Sequence, residues 1–412
     1  MESRAYSAEE IKELGSRLHY DRFNAHVHGS ALEETTKLLY KILENSEDNI
    51  LYKTIYLKLG IYFAFYKRNK EMASRFFEKY LSFCNHGLEK AEGLSLLGYA
   101  YVIDPTYKSE KIFSEALSHL PENNQDISVI IIKAFALQYL ALMLHRQARR
   151  DKLREIDSAL IRIKTAIDLQ QSLVEAFPFI KIGLAESLHL NAVMLTRLGE
   201  VHINQEYFKH ANELLNYAIQ LENEFCTETQ STHFLTAITQ QSQAIVLMHL
   251  NQHDNAITLL KNALQEQYSE NDIAKSLHLI GDIYNKKQDS VSAINAYLKA
   301  LICKMRIEYN DDSMIKTTQD YLLAALNHIT RENTQLAFTT RNKIYQDLTR
   351  DTSSFINKCE DFIYLIEVEM NELRDVISLK HINSYSMMFN TNRINIEKRD
   401  NDIDTMRIKP CV

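Results

Sequence analysis

Residues Ile273–Lys304 read IAKSLHLIGDIYNKKQDSVSAINAYLKALICK. Leu277, Ile280, Gly281 and Tyr284 recur at three-to-four-residue spacing, so they share one face of a helix. Ala293, Tyr297, Ala300 and Leu301 do the same on a second helix. Between them, Lys286-Lys287-Gln288-Asp289 is polar and has room only for a tight turn. Asp289 or Ser290 is placed to cap the second helix by accepting a backbone N–H bond. A glycine inside a helix costs roughly 1 kcal/mol relative to alanine. Gly281 therefore predicts a close helix–helix approach, with Ala293 and Ala300 completing the small surface.

Working outward, the pattern returns. Leu198-Gly199 precedes Ala211, Leu215 and Ala218, with His202 at the Tyr284 position. Ala244 and Leu247 precede Ala256, Leu260 and Ala263. Leu97-Gly98 and Tyr101 precede, one residue short, Phe113 and Ala116, then Pro121. Leu59-Gly60 and Phe63 precede Met72, Ala73 and Phe76. Weaker copies join Leu140-Ala141 to Ala159, Ile163 and Ala166, and Ala324-Ala325 to Ala337. These offsets resemble the tetratricopeptide repeat, L-G-x2-Y, A-x3-F, A, over residues 50–340. The drifting distance between copies is similar to the irregular, long-helix, kinesin-light-chain-like variety. The resemblance implies an all-α fold, a right-handed α-α superhelix of stacked pairs. One repeat cannot bury its own apolar face, so each needs neighbours.

Composition agrees. In 412 residues there are only 9 Gly and 4 Pro, little material for strand corners, while 45% hydrophobic content supplies a continuous core. A net charge of −7 and pI near 6.1 give no general attraction to nucleic acid or to an anionic membrane. The 5 Cys are scattered with no C-x-x-C pair, which suits a reducing, cytoplasmic setting. The N-terminus has no apolar signal core, and Ser128–Leu144, the nearest approach to a spanning segment, carries Lys133 and Gln138 and reads as a core helix.

The expected organisation is an N-terminal helical cap over 1–49, including an amphipathic stretch Ala31–Glu44. An array of about seven helix pairs follows over 50–340. Its first part, Ile50–Phe83, holds more aromatic rings than one helix pair can bury, so some should line a surface. A long C-terminal helix is expected over 341–380, with a flexible tail over 381–412. The stripe Phe355, Cys359, Phe362, Ile363, Ile366, Met370, Leu373 and Ile377 on that helix would close the array, or else pair two copies as a homodimer.

No phosphate-binding glycine loop, H-E-x-x-H or G-x-S-x-G occurs. His26 and His28 lack a neighbouring carboxylate or thiol, and no metal or cofactor is implied. His145–Arg154 is basic but has no interleaved aromatics, so it reads as an exposed connection rather than a nucleic-acid footprint. The chain therefore reads as a non-catalytic binding protein.

The resemblance puts a concave wall on the first helix of each pair. That wall would hold Lys275, His278, Asp282, Asn285 and Lys286 at the Gly281 repeat. At the Gly199 repeat it would hold Val193, Thr196, Arg197, Glu200 and Asn204. Ile238, Gln241, Ile245, Met248 and His249 follow at the Ala244 repeat, and Glu92, Ser95 and Tyr99 at Gly98. From these, Arg197, Glu200, Asn204, Gln241, His249, Lys275, His278, Asp282 and Asn285 are the candidate ligand-binding residues, suited to an extended peptide or protein segment. Glu200 and Asp282 stand where the chaperone-type carboxylate clamp needs Asn, which argues against a terminal EEVD ligand. The alternatives are a peptide-gated bacterial regulator, a secreted effector, and an enzyme whose site is assembled from distant helices.

Overall fold

The computed structural model describes residues 49–329 except 68, 85–86, 103–106, 122–125, 149–152, 230–234, 267–269 and 306–311, together with residues 37, 342–344, 346, 358–359, 361–364 and 366. The expectations for the N-terminal cap, His26 and His28, Arg149, Arg150 and Lys152, Ala337, the C-terminal tail and most of the C-terminal helix, Phe355 and everything after Ile366 included, lie outside the described residues.

Every regular element among the described residues is helical. In chain order they are α1 (Asn49–Ile61), α2 (Lys70–Ser82), α3 (Leu88–Val102), α4 (Tyr107–Ser118), α5 (Ile127–Gln147) and α6 (Leu153–Gln171). Then come α7 (Ile180–His202), α8 (Gln205–Thr229), α9 (Leu235–His249), α10 (His253–Glu266), α11 (Glu270–Lys286), α12 (Ser290–Met305) and α13 (Asp312–Ile329). Each odd-numbered helix from α1 to α9 packs against the even-numbered helix that follows it, and the Tyr297 ring of α12 packs over Gly281 of α11. The chain divides into two compact units, Met1–Asp272 and Ile273–Val412.

One device recurs inside the pairs. A Cβ added to Gly60 would sit 2.5 Å from the Phe77 ring, and one on Gly98 2.8 Å from Phe113. The same construction places Gly199 2.8 Å from Phe208 and Gly281 2.5 Å from Tyr297. Each glycine is thus the socket for an aromatic ring from its partner helix, which explains why helix propensity is sacrificed there. Ala211, Leu215, Ala218, Ala256, Leu260, Ala263, Ala293, Tyr297, Ala300 and Leu301 are all fully buried, as the repeat pattern requires. So are Ala159, Ile163 and Ala166 on α6. The described fold is an all-α, tetratricopeptide-like array of helix pairs.

Two register details differ from the sequence reading. In the first pair Ala73 is buried as expected, but the buried ring is Phe77 rather than Phe76, and Met72 is half-buried. A π-helical turn, Tyr62–Tyr66, closes α1 with a Lys67 N–H to Tyr62 C=O bond of 3.2 Å. This wider turn inserts one residue and shifts everything after it by one. Phe76 instead joins a half-buried run of stacked rings, 6.3 Å from Tyr56 and 5.5 Å from Phe63. In the α7–α8 pair the socket at Gly199 takes Phe208, from the first turn of α8, while Leu215 packs deeper.

The turns also repeat. Asn204 N–H reaches Gly199 C=O at 3.2 Å, Gln252 N–H reaches Leu247 C=O at 2.8 Å, and Asp289 N–H reaches Tyr284 C=O at 2.9 Å. In each, the residue before the donor is left-handed: Ile203 (φ 50), Asn251 (φ 60) and Gln288 (φ 62). This is the αL helix ending, in which glycine or asparagine is comfortable and a β-branched residue is not. Ile203 is also 89% exposed, so no burial offsets the strain. Ile203→Asn, copying Asn251, should therefore raise stability by about 1 kcal/mol in urea unfolding. A loss of stability would show that Ile203 makes a contact worth more than the strain.

α5 is long and apolar enough to cross a membrane by length and composition, but 78% of its most apolar window is buried inside the protein. Neighbouring helices cover it, as the core reading expected. In the second unit, Cys359, Phe362 and Ile366 are buried with Leu298, Leu301 and Leu322 in one core. The described part of the C-terminal stripe is thus spent inside its own unit.

Candidate functional site

In the pairs from α3–α4 to α9–α10 the first helix is far more buried than the second. On α7, one stripe is left half-open: Glu186, His189, Val193 and Arg197, ending at exposed Glu200. On α9 the matching stripe is Ile238, Ser242, Ile245 and His249, all half-buried. Both run at three-to-four-residue spacing, so each is a single helix face. Of the residues expected on the wall, Val193, Arg197, Glu200, Ile238, Ile245 and His249 lie on these two stripes, while Gln241 is buried off them.

Polar groups of the strip are joined sideways, helix to helix. Gln138 Nε2 on α5 donates to Glu186 Oε2 at 3.0 Å, and Tyr139 Oη donates to the same oxygen at 3.4 Å. His189 Nε2 lies 2.8 Å from Ser242 Oγ, linking α7 to α9. His249 Nε2 lies 3.1 Å from Glu200 Oε1, and its ring lies flat on Phe208 with centroids 4.5 Å apart. Phe208 is the ring seated on Gly199, so the core itself sets the position of His249. Burial lowers the pKa of His189 to about 4, which keeps it neutral near neutral pH.

Several candidates are occupied within the fold. Arg197 donates to the carbonyl of His145 at 3.2 Å and to that of Ala148, at the C-terminal end of α5. Arg146 does the same for α3, donating to Val102 C=O at 2.6 Å. A cation on the last carbonyls of a helix satisfies unpaired acceptors and opposes the negative end of the dipole. Beside these two guanidinium groups, burial first and their charges second depress the pKa of His145 to about 4. Asn204 accepts from Glu206 N–H at 3.0 Å and so caps α8. Gln241 is buried and donates to Asp272 C=O at 2.8 Å.

Towards the N-terminus the wall is closed. Glu92 and Ser95 are buried. Tyr99 stacks on Phe65 at 4.4 Å and meets Tyr139 edge-on at 4.8 Å. The strip is therefore open along α7 and α9 and filled by the chain's own rings along α3.

In the second unit, Lys275, His278, Asp282 and Asn285 form the half-buried face of α11. Two of them are drawn into a polar cluster with α12 and α13. Tyr297 Oη donates to Asp282 Oδ1 at 2.7 Å, and His278 Nε2 lies 3.6 Å from the same oxygen. His278 Nδ1 is 3.1 Å from Thr318 Oγ1, to which buried Lys304 Nζ also donates. The His278 ring meets Tyr321 edge-on at 5.1 Å. Burial raises the pKa of Asp282 to about 6 and lowers that of His278 to about 4. Lys304 is pushed down by the same cause.

Sequence reasoning did not find Glu186, His189, Ser242, Lys304, Thr318 or Tyr321. The first two were within reach, because α7 continues the face of Val193 and Arg197 back by two turns. The others needed knowledge of which helices are neighbours.

Compared with protein-family models the chain matches none, and no curated protein matches it in sequence. Among solved structures it is similar to yeast Tom70, with 13% identity over 83% of this chain and 68% of that one, at a TM-score of 0.45. It is also similar to the APC/C hetero-tetramer Cut9-Hcn1, with 18% identity over 72% of this chain and 52% of that one, at a TM-score of 0.35. The chain thus spans about half the length of the latter, 52%.

Proposed function

We propose that this chain is a non-catalytic interaction scaffold, acting in the cytosol, that lays an extended peptide segment along the half-open face of α7 and α9. The observation that carries this reading is the strip itself. Among the described residues it is a half-open face on two otherwise buried helices, and its histidines are already fixed by lateral hydrogen bonds. Preorganised groups lose little entropy when a ligand arrives. Val193, Ile238 and Ile245 supply apolar contact, while Glu186, His189, Glu200 and His249 offer donors and acceptors to a peptide backbone.

The test is selection of peptides from a displayed random library on the purified full chain, followed by affinity measurement of the selected peptide on variants. Val193→Asp combined with Ile245→Asp should weaken binding at least about tenfold, or about 1.4 kcal/mol, with an unchanged helical circular-dichroism spectrum. Glu213→Lys, on the exposed side of α8, should leave affinity unchanged. Equal loss from both variants, or none from the strip pair, overturns the reading.

A further inference from the structure

A second surface lies on α8. A shallow, largely open groove of about 600 Å³ lies on one of its faces, lined by Asn216, Ile219, Gln220, Asn223, Thr227 and the carboxylates of Glu224 and Glu228. The amide and hydroxyl positions 216, 220, 223 and 227 repeat once per turn, so they form a row along the helix. The row spans about 16 Å at 1.5 Å per residue, the length of about five residues of extended chain. Gln243 Nε2, on α9, donates to Asn212 Oδ1 at 3.1 Å and to Asn216 Oδ1 at 2.5 Å. That bond holds the Asn216 oxygen towards α9 and leaves its Nδ2 donors for the groove.

The far end of the groove is electrostatically unbalanced. Lys181 Nζ, on α7, sits 3.1 Å from Glu224 Oε2 and 2.6 Å from Glu228 Oε1. Gln220 Nε2 adds a bond of 2.9 Å to Glu224 Oε1. These partners, Gln220 first and Lys181 second, hold the Glu224 carboxyl below its ordinary pKa, so it stays ionised. Two carboxylates share one ammonium and leave one negative charge over. Both remain half in water, Glu224 with 41% and Glu228 with 45% of the side chain exposed, so an incoming cation can reach them.

We propose that the α8 groove binds an extended segment of another protein carrying one lysine or arginine, with the amide row bonding its backbone and the Glu224–Glu228 pair taking its cation. An amide offers both donor and acceptor, so the row accepts any backbone sequence, and the carboxylate pair sets the specificity. Half-buried Ile219 lies on the other side of the row from the carboxylates, so it favours an apolar residue away from the cation. This surface is separate from the α7–α9 strip, and the two stand or fall independently.

The probe is a fluorescein-labelled hexapeptide of alanine and serine with one central lysine, blocked at both ends, titrated against the full chain at low salt. Its counterpart carries norleucine for lysine. The lysine peptide should bind at least tenfold more tightly than the norleucine peptide, and its affinity should fall as salt rises. Glu224→Gln with Glu228→Gln should remove that tenfold preference, while Asn216→Ala with Asn223→Ala should weaken both peptides alike. Thermal melts by circular dichroism check that each variant is folded. Val193→Asp with Ile245→Asp should not change the titration, which separates failure here from failure of the strip. No saturable binding, equal affinity for the two peptides, or a preference that survives the double glutamine variant would overturn the proposal.

Discussion

Replacing Tyr297 with alanine is expected to cost the second unit about 3–5 kcal/mol, a large part of the stability of an ordinary domain. The ring is fully buried and sits over Gly281, where a Cβ would be only 2.5 Å away. Once the ring is gone, no side chain on α11 can fill the space, because the socket is a glycine. The Tyr297 hydroxyl also donates to Asp282, so truncation leaves that half-buried carboxyl without this donor. Tyr297→Phe separates the two causes: it keeps the ring and loses only the bond, for about 1–3 kcal/mol. The socket argument has its own check. Gly281→Ala should destabilise the wild type through the clash, yet become neutral or stabilising beside Tyr297→Leu, where helix propensity returns roughly 1 kcal/mol. Hydrogen exchange in α11–α13, with urea unfolding followed by circular dichroism, reads all of these. If alanine costs no more than phenylalanine, packing against Gly281 is not what holds this pair.

The sequence carries the pairs because a socket and its plug are both local in pattern. Gly281 and Tyr297 announce themselves by spacing, and so do the buried alanines of α8, α10 and α12. It misplaces Phe77 by one residue because a π-turn leaves no signature in a pattern read at 3.6 residues per turn. It misses Phe208 because the Gly199 socket takes a ring from an earlier turn than the repeat uses. The half-open faces on α7, α9 and α11 are legible in part for the opposite reason. Positions between the packing residues of an amphipathic helix turn towards the surface, except where a neighbouring helix covers them, as at Gln241. What those residues do is not legible. Arg197, Asn204 and Gln241 meet backbone carbonyls or amides at helix ends. Which end lies within reach depends on how successive pairs stack, a distance that single-helix periodicity does not encode. Tyr297 shows the same limit from inside the core: its spacing assigns the ring, and only the structure assigns the hydroxyl.

Opposite pH slopes are expected from two single substitutions in the second unit. Asp282 faces His278 and Lys286 from α11, Tyr297 and Lys304 from α12, and Thr318 and Tyr321 lie beyond His278 on α13. Its pKa is raised from 3.8 to about 6, so the fold favours its protonated form. That contribution is fully present below pH 3.8 and is lost as pH rises through about 6. His278 is lowered from 6.5 to about 4, so the fold favours its neutral form. Its contribution is fully present above pH 6.5 and is lost as pH falls through about 4. Between about pH 4 and 6 the folded unit holds one more proton on Asp282 and one fewer on His278 than the unfolded chain, and the two slopes cancel. His278→Gln exposes the aspartate alone: stability should fall by about 1–3 kcal/mol from pH 4 to pH 6. Asp282→Asn exposes the histidine alone, and stability should rise by a similar amount over the same interval. The asparagine keeps an acceptor for Tyr297, and the glutamine keeps a polar group on the face that meets Thr318, so packing changes little. Hydrogen exchange of α12 and α13 amides, taken as variant minus wild type at each pH, removes the common background of His145 and His189. Parallel profiles for the two variants would mean that these groups do not titrate in opposition, and that their burial in this cluster is not what sets their protonation.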